Sequence, residues 1–462
     1  MVMDEVKNQT SIEQLKEWDR NHFMHPTSSV RDHQENGAAY TFTKGEGIYL
    51  TDIDGREYVD GLSSLWNVNL GHGRSELAEA AKEQMETLPF SSSFNNYSNE
   101  PAIKLSRKIA ELTPGNLNVT FFTSGGSESN ESTFKIIREY WKLKGQPQRT
   151  KIVSLQKGYH GVTLAATRAT GMDNFNSFGT SYAPGFLNAE PYLTGCEQGD
   201  KTHPNYENSI RGVIEREGAD TIAAVIMEPI QGAGGLNVPP EGYLQSVRDL
   251  CDEFGIFMIA DEIVCGFGRT GKMFGVENDG IIPDFMTVAK GITSGYIPLG
   301  AVIMKDSFRD ELAELTGGVL FHGFTYSGHP TSCAVGLKTL EIIEKENIVP
   351  HVKKMETVVE NEFSKLKEKH PHVTNERCAG LLGAFDVFKD PEENIPFKPE
   401  EAAAPTLSKL CGDLGLIVRP IMYKGANTIA FAPPLISSKS DIEEIFNIFS
   451  QALTRFERQV NS

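Results

Sequence analysis

From residue 118 to residue 290, short apolar runs alternate with segments of helical spacing, and few folds accept that pattern. The runs are 119–122, 151–155, 221–227, 256–260 and 285–289. Each has strand length and is bounded by turn signals. Helical spacing covers about 128–142, 206–217 and 241–253. Apolar strands alternating with helices predict an α/β fold, with a mostly parallel central sheet and helices on both faces. A further strand is expected over 300–304, and 175–205 carries no clear period and is expected to be an irregular excursion.

Strands of a parallel sheet share direction, so their carboxyl ends share one rim, where ligands of open α/β sheets bind. Five such ends carry polar or aromatic groups: Ser124 to Ser127, Tyr159, Glu228, Asp261 and Lys290. Taken singly, each is an ordinary exit into solvent, since Lys and Asp are mostly exposed. Together they are a site. The Gly/Ser-rich turn before a helix N-terminus is a cup for an anion. A lysine on a dry rim can form a Schiff base with an aldehyde. Pyridoxal phosphate needs these parts: an amine for its aldehyde, a carboxylate for its pyridine nitrogen, an aromatic cover and a phosphate cup. The pattern Gly266-Phe-Gly268-Arg-Thr-Gly271 matches a dinucleotide fingerprint, but that motif must open a helix directly after a strand. Here Asp261 to Cys265 intervene and no convincing helix follows, so a nicotinamide site is not expected.

The flanks differ in character. A helix is expected over 10–21 and antiparallel strands over 40–57, with Asp54-Gly55 as a hairpin turn. Ser75 is a plausible cap for a helix over 75–87. The carboxy-terminal third mixes helices (349–369, 400–414, 440–458) with strands (380–388, 416–419, 428–432), which suggests a smaller α+β domain completed by the amino-terminal segment. The expected division is 1–73, 74–335 and 336–462. The formal charge of −18 disfavours a nucleic-acid partner. Six scattered cysteines fit a reducing compartment. Residues 1–20 lack the apolar core of a signal peptide, and no apolar run approaches the ~18 residues of a membrane span. A cytoplasmic protein with no membrane partner is expected. No metal-ligand spacing is present.

The motifs resemble those of the class III aminotransferases, pyridoxal-phosphate enzymes of fold type I, over nearly the whole chain. The specific parts are Ala260-Asp-Glu-Ile-Val-Cys-Gly-Phe-Gly-Arg-Thr-Gly271, Thr287-Val-Ala-Lys-Gly-Ile292, Thr123-Ser-Gly-Gly-Ser-Glu-Ser-Asn130, Gly158-Tyr-His-Gly161 and Glu228-Pro-Ile-Gln-Gly232. The resemblance implies that Lys290 carries the cofactor and Asp261 pairs with the ring nitrogen. It implies that Gly125, Gly126 and Ser127 bind the phosphate, that Tyr159 and Ile263 cover the two ring faces, and that Glu228 joins the network around Asp261. Thr325 would reach the phosphate of a neighbouring subunit, which implies a homodimer with shared sites; pairing of dimers into tetramers stays open.

Within the class the chain is similar to the ω-amino acid or amine:pyruvate group. Trp66 and Phe94 match substrate-pocket positions of that group, Tyr159 also faces the substrate, and Arg419 matches its mobile arginine for substrate carboxylates. Phe23 and His25 are expected near the pocket mouth. Ala233 stands where 2-oxoglutarate users of the class carry Glu, which favours pyruvate as keto acid acceptor. Two departures are the long 420–427 stretch after Arg419 and Ser124-Gly125 in place of Asn-Ser before Gly126. The expected reaction is ping-pong transfer of an amino group from a small-molecule donor to pyruvate. The alternatives are the biotin-pathway aminotransferase, whose usual paired Trp is Leu65-Trp66 here, an aminomutase, and a binding protein without turnover.

Overall fold

The computed structural model describes residues 10–178, 183–423 and 425–460. Parts of three expected stretches lie outside these: 1–9 of the amino terminus, 179–182 of the irregular excursion and Lys424 after Arg419. Seven strands form the central sheet: β1 (Val119–Thr123), β2 (Lys151–Leu155), β3 (Phe186–Ala189), β4 (Ile222–Met227), β5 (Phe257–Asp261), β6 (Phe285–Val288) and β7 (Gly300–Met304). Their order across the sheet is β1-β7-β6-β5-β4-β2-β3. β7 is antiparallel to both neighbours, and the remaining pairs are parallel. The α/β class and mostly parallel sheet are as the alternation predicts. The reversal of β7 has a simple cause: the link from β6 is too short to hold the helical crossover that a parallel neighbour needs.

Both faces of the sheet are covered. Every residue of β4, β6 and β7 is buried. In β5, Met258 and Ala260 enter one core cluster and Ile259 enters another, so successive side chains feed opposite faces. The helix Gly126–Leu143 contributes Phe134, Ile136, Ile137, Tyr140 and Trp141 to the second cluster. It starts two residues earlier than its apolar period shows, directly on the Gly-rich turn.

Some elements escape the sequence reading. β3 is a four-residue edge strand inside the expected irregular excursion. The helix Asp306–Thr316 and the strand Val373–Ala379, whose residues are mostly half-buried, carry weak apolar signals. Ser75 is not a cap: Arg74 holds the cap position of Ser75–Thr87 and no side chain closes it, because helical backbone already begins at Ser75. Asn99 does cap Glu100–Leu112, its side chain accepting from the Ala102 N–H.

The two ends of the chain meet in one sheet. Phe42–Glu46, Tyr49–Asp52 and Glu57–Asp60 form an antiparallel ladder, with Gly55 at positive φ (84°) in the expected turn. Leu416–Ile417 pairs in parallel with Glu57–Asp60. A second sheet joins Val373–Ala379, Leu382–Asp390, Thr428–Phe431 and Arg419–Ile421. Phe385 and Phe431 of this sheet pack on Phe363 of Ile348–Lys369 and on Phe446 and Phe449 of Lys439–Val460. Among the described residues no helix is long and apolar enough to cross a membrane.

Ile226, in the centre of β4, is fully buried. Ile226→Ala should cost about 2–5 kcal/mol and lower the apparent melting temperature by several degrees in a thermal scan. An unchanged melting curve would contradict the central place of β4 in the core.

Candidate active site

Asp261 closes β5 and is 2% exposed. The β5–β6 register pairs Asp261 with Thr287, so Lys290, just beyond β6, stands on the neighbouring strand end. Two side chains fix the carboxylate. Asn130 Nδ2 donates to Asp261 Oδ2 at 2.8 Å. His160 Nδ1 lies 2.8 Å from the same oxygen and, facing a carboxylate, is the donor. The Ile263 N–H donates to Oδ1 at 3.2 Å. These groups leave Oδ1 with capacity for one more partner.

Lys290 has φ of +45°, a conformation that costs a non-glycine residue about 1–3 kcal/mol. Part of the residue stays open to the cleft. Burial of its amine pulls the pKa from 10.5 down to about 8, against the opposing pull of Asp261 and Glu228. The Trp66 ring lies 5.6 Å from Lys290 Nζ and 4.9 Å from the Arg419 guanidinium carbon. Burial also lowers the Arg419 pKa, with the nearby Tyr159 hydroxyl opposing.

The helix Gly126–Leu143 opens with no side chain closing its first turn. Gly125 precedes it in extended backbone, and Gly125, Gly126 and Ser127 are all partly open. A Cβ on Gly126 would sit 2.6 Å from Ile263 Cδ1, so glycine leaves the Ile263 side chain its place beside the helix end. Ser127 Oγ accepts from the Val162 N–H at 3.1 Å, tying the cup to the loop that bears Tyr159. Tyr159 meets Phe175 edge-on, with centroids 5.2 Å apart. Glu228 ends β4 with its oxygens accepting from the Tyr159 and Gly232 N–H groups, each at 2.9 Å. Burial raises its pKa to about 7.

Lys290, Asp261, Gly125, Gly126, Ser127, Tyr159, Glu228, Ile263, Trp66 and Arg419 thus come together at the sheet rim, tied by these pairwise contacts. Phe94 and Thr325 stand elsewhere. Phe94 is 48% exposed and faces Gly323 in a cleft of about 1210 Å³ lined also by Tyr97, Phe321 and Gly328. Thr325 is exposed on the adjoining turn. No residue of the Lys290 set lines that cleft. Phe23 is exposed and stacks on His25, whose Nε2 bonds Asp19 at 2.9 Å. His33 Nε2 meets the other Asp19 oxygen at 2.8 Å. Asp19, His25 and His33 are the one trio of potential metal ligands within reach of each other among the described residues. The shared carboxylate already gives both imidazoles a partner.

Sequence reasoning assigned no role to Asn130, His160, Phe175 or Arg269. Asn130 had a readable signal: it lies four residues after Gly126, on the same helix face as the cup. His160 adjoins Tyr159 and is buried against Asp261. Phe175 had none. The Gly266-x-Gly268 turn opens no helix; the chain continues in turns to a single 3₁₀ turn, Gly275–Asn278.

The space fits pyridoxal phosphate on its own chemistry. It offers a buried amine with lowered pKa, a fixed carboxylate with a free lone pair, open backbone donors at a helix end and a glycine cradle.

The family model for class-III aminotransferases matches residues 30–453. A putrescine–pyruvate aminotransferase of Pseudomonas aeruginosa is 36% identical over 458 residues, covering 97% of this chain and 98% of that one. A transaminase from the marine bacterium Virgibacillus superposes with a TM-score of 0.93 at 46% identity, covering 96% and 99% of the two chains. The ω-transaminase of Pseudomonas jessenii in complex with PMP superposes at 0.90 and 33% identity, covering 97% and 99%. The chain belongs to the class III aminotransferases, pyridoxal-phosphate-dependent enzymes of fold type I.

Proposed function

We propose that the chain transfers an amino group from an ω-amino acid or primary amine to pyruvate, through the space between Lys290, Asp261, Trp66 and Arg419. The observation that carries this reading is the shared Trp66 ring, which borders both the reacting amine and a buried arginine. When bound, the cofactor supplies an aldehyde and an electron-withdrawing ring. Lys290 would hold that aldehyde, and its free amine would move the proton at the substrate carbon. Asp261, pinned by Asn130 and His160, holds the proton of the ring nitrogen. The open N–H groups at Gly126 and Ser127 hold the phosphate, and Tyr159 and Ile263 flank the ring. Arg419 orients a substrate carboxylate at the far side of Trp66. Ala233, buried beside the site, offers no carboxylate to neutralise that arginine.

The working form is read as a homodimer acting in the cytoplasm. Six free cysteines, five of them buried, suit a reducing compartment. Phe321 (93% exposed), Val319 (72%) and Tyr97 (67%) border the same cleft, a patch too apolar to face water on a stable monomer. A second copy seated there receives Phe94 and Thr325 at its own Lys290 site.

Four outcomes test this. Neutral Lys290 is the reactive form, so a pKa lowered to about 8 leaves it protonated below pH 8 and free above. Capture of pyridoxal phosphate by apoenzyme, followed by absorbance, should accelerate as pH rises with a midpoint near 8 and be absent in Lys290→Ala. A midpoint near 10 would contradict the burial account. In a panel of donors, pyruvate should be preferred over 2-oxoglutarate. Arg419→Ala should cut kcat/KM for pyruvate and alanine about 10²–10³-fold, the scale of a lost charge-assisted pair, and change simple amines less than about 5-fold; equal losses would remove its clamp role. Finally, light scattering should give twice the chain mass for the wild type. Phe321→Asp should shift it toward one chain and lower turnover; a fully active monomer would end the shared-site reading.

A further inference from the structure

We propose that Arg269 is a positioning residue for amino transfer: it holds the Ser63–Trp66 turn so that the indole stays against Lys290 and Arg419. The turn needs holding. Ser63, Ser64 and Trp66 all have positive φ, at 47°, 57° and 56°. Three left-handed non-glycine residues within four positions persist only where their surroundings over-determine them. Asp60 restrains one side, its carboxylate accepting from the Ser64 N–H at 2.8 Å and bonding His72 Nε2 at 2.8 Å.

Arg269 restrains the other side. It is the largest fully buried side chain of the described residues, and none of the ion pairs among them includes it. Its Nη2 donates to Ser63 Oγ at 3.0 Å and to Asn69 Oδ1 at 2.9 Å, on either side of Trp66 in the chain. Its Nη1 donates to the carbonyls of Pro433 at 2.5 Å and Leu381 at 3.3 Å, in the carboxy-terminal part. Asn69 passes the restraint on, donating to the Phe267 carbonyl, while its carbonyl accepts from the Leu435 N–H. Ser63 Oγ also donates to the Ala432 carbonyl at 2.7 Å. Burial pushes the guanidinium pKa down to about 9, with the charge of Asp60 the main opposing influence. A buried cation without an ion partner is costly to keep. Its use here is geometric: one planar fork reaches two segments at fixed angles, which a lysine ammonium cannot reproduce. Arg269 touches neither substrate nor cofactor and acts through Trp66.

The test is a double-mutant cycle on holoenzyme. Arg269→Lys and, separately, Ser63→Ala are placed in wild-type and Trp66→Ala backgrounds, and KM and kcat are measured for an amine donor. In the wild-type background each should raise KM about 10-fold and change kcat less than about 3-fold. In the Trp66→Ala background the rise should fall below about 2-fold, since the residue acted upon is gone. A second reading is independent of turnover. Trp18→Phe with Trp141→Phe leaves Trp66 as the one tryptophan, and adding either variant should red-shift its emission and increase acrylamide quenching in apoenzyme. Equal KM effects in both backgrounds, or an unmoved Trp66 emission, would overturn the proposal. If Arg269→Lys fails to fold, Ser63→Ala decides the question by the same two readings.

Discussion

Strand direction is the constraint on which the proposed site depends. A lysine amine and an aspartate carboxylate can share a water-poor space only if neighbouring strands deliver them to the same edge at the same height. The β5–β6 register does this, pairing Asp261 with Thr287 and leaving Lys290 just past the sheet. Once those two are set, their neighbours follow from packing. Asn130 reaches Asp261 from the first turns of the helix Gly126–Leu143, and Gly126 leaves room there for the Ile263 side chain. Burial then supplies the chemistry, holding the Lys290 pKa down and the Glu228 pKa up. The two shifts have opposite signs in charge terms and one cause.

Legibility in the sequence tracks the strength of the periodic signal. β4 to β7 are buried on both faces, so each is an unbroken apolar run and could be placed to within a residue or two. β3 sits at the sheet edge with four residues, one of them Asn188, and has no run to read. Site residues follow the same logic at another level. Lys290, Asp261 and Glu228 end apolar runs and were visible as interruptions. Asn130 is marked only by its place one helical turn after Gly126, and His160 lies inside a polar motif where nothing in the local pattern separates a partner of Asp261 from a solvated neighbour. Arg269 was hidden by its setting: between two glycines it imitates a nucleotide loop, and its partners lie 112 to 206 positions away.

Phe94 and Thr325 are a different kind of case. Resemblance groups them with the Lys290 set, yet within one chain they face a separate cleft whose borders are apolar and exposed. In the proposed homodimer those residues would serve a second copy. A site divided in that way would couple activity to assembly, since burying Phe321 and Tyr97 in an interface would be the same event that brings Phe94 to a neighbour's Lys290.

The site also divides the labour between parts of one chain. The residues proposed to handle the cofactor, Lys290, Asp261, Tyr159 and Gly126, come from the rim of the central sheet, and of these four only Lys290 has positive φ. The residues proposed to judge the substrate, Trp66 and Arg419, come from the terminal segments that meet across Glu57–Asp60 and Leu416–Ile417. Arg269 lies eight residues after Asp261 and is hydrogen-bonded to both terminal segments. The two parts also meet directly, through Asn69 on Phe267, Leu70 on Ser294 and Arg377 on Gly235 and Leu236, so the buried guanidinium is one of several ties that set the height of Trp66 over the sheet rim.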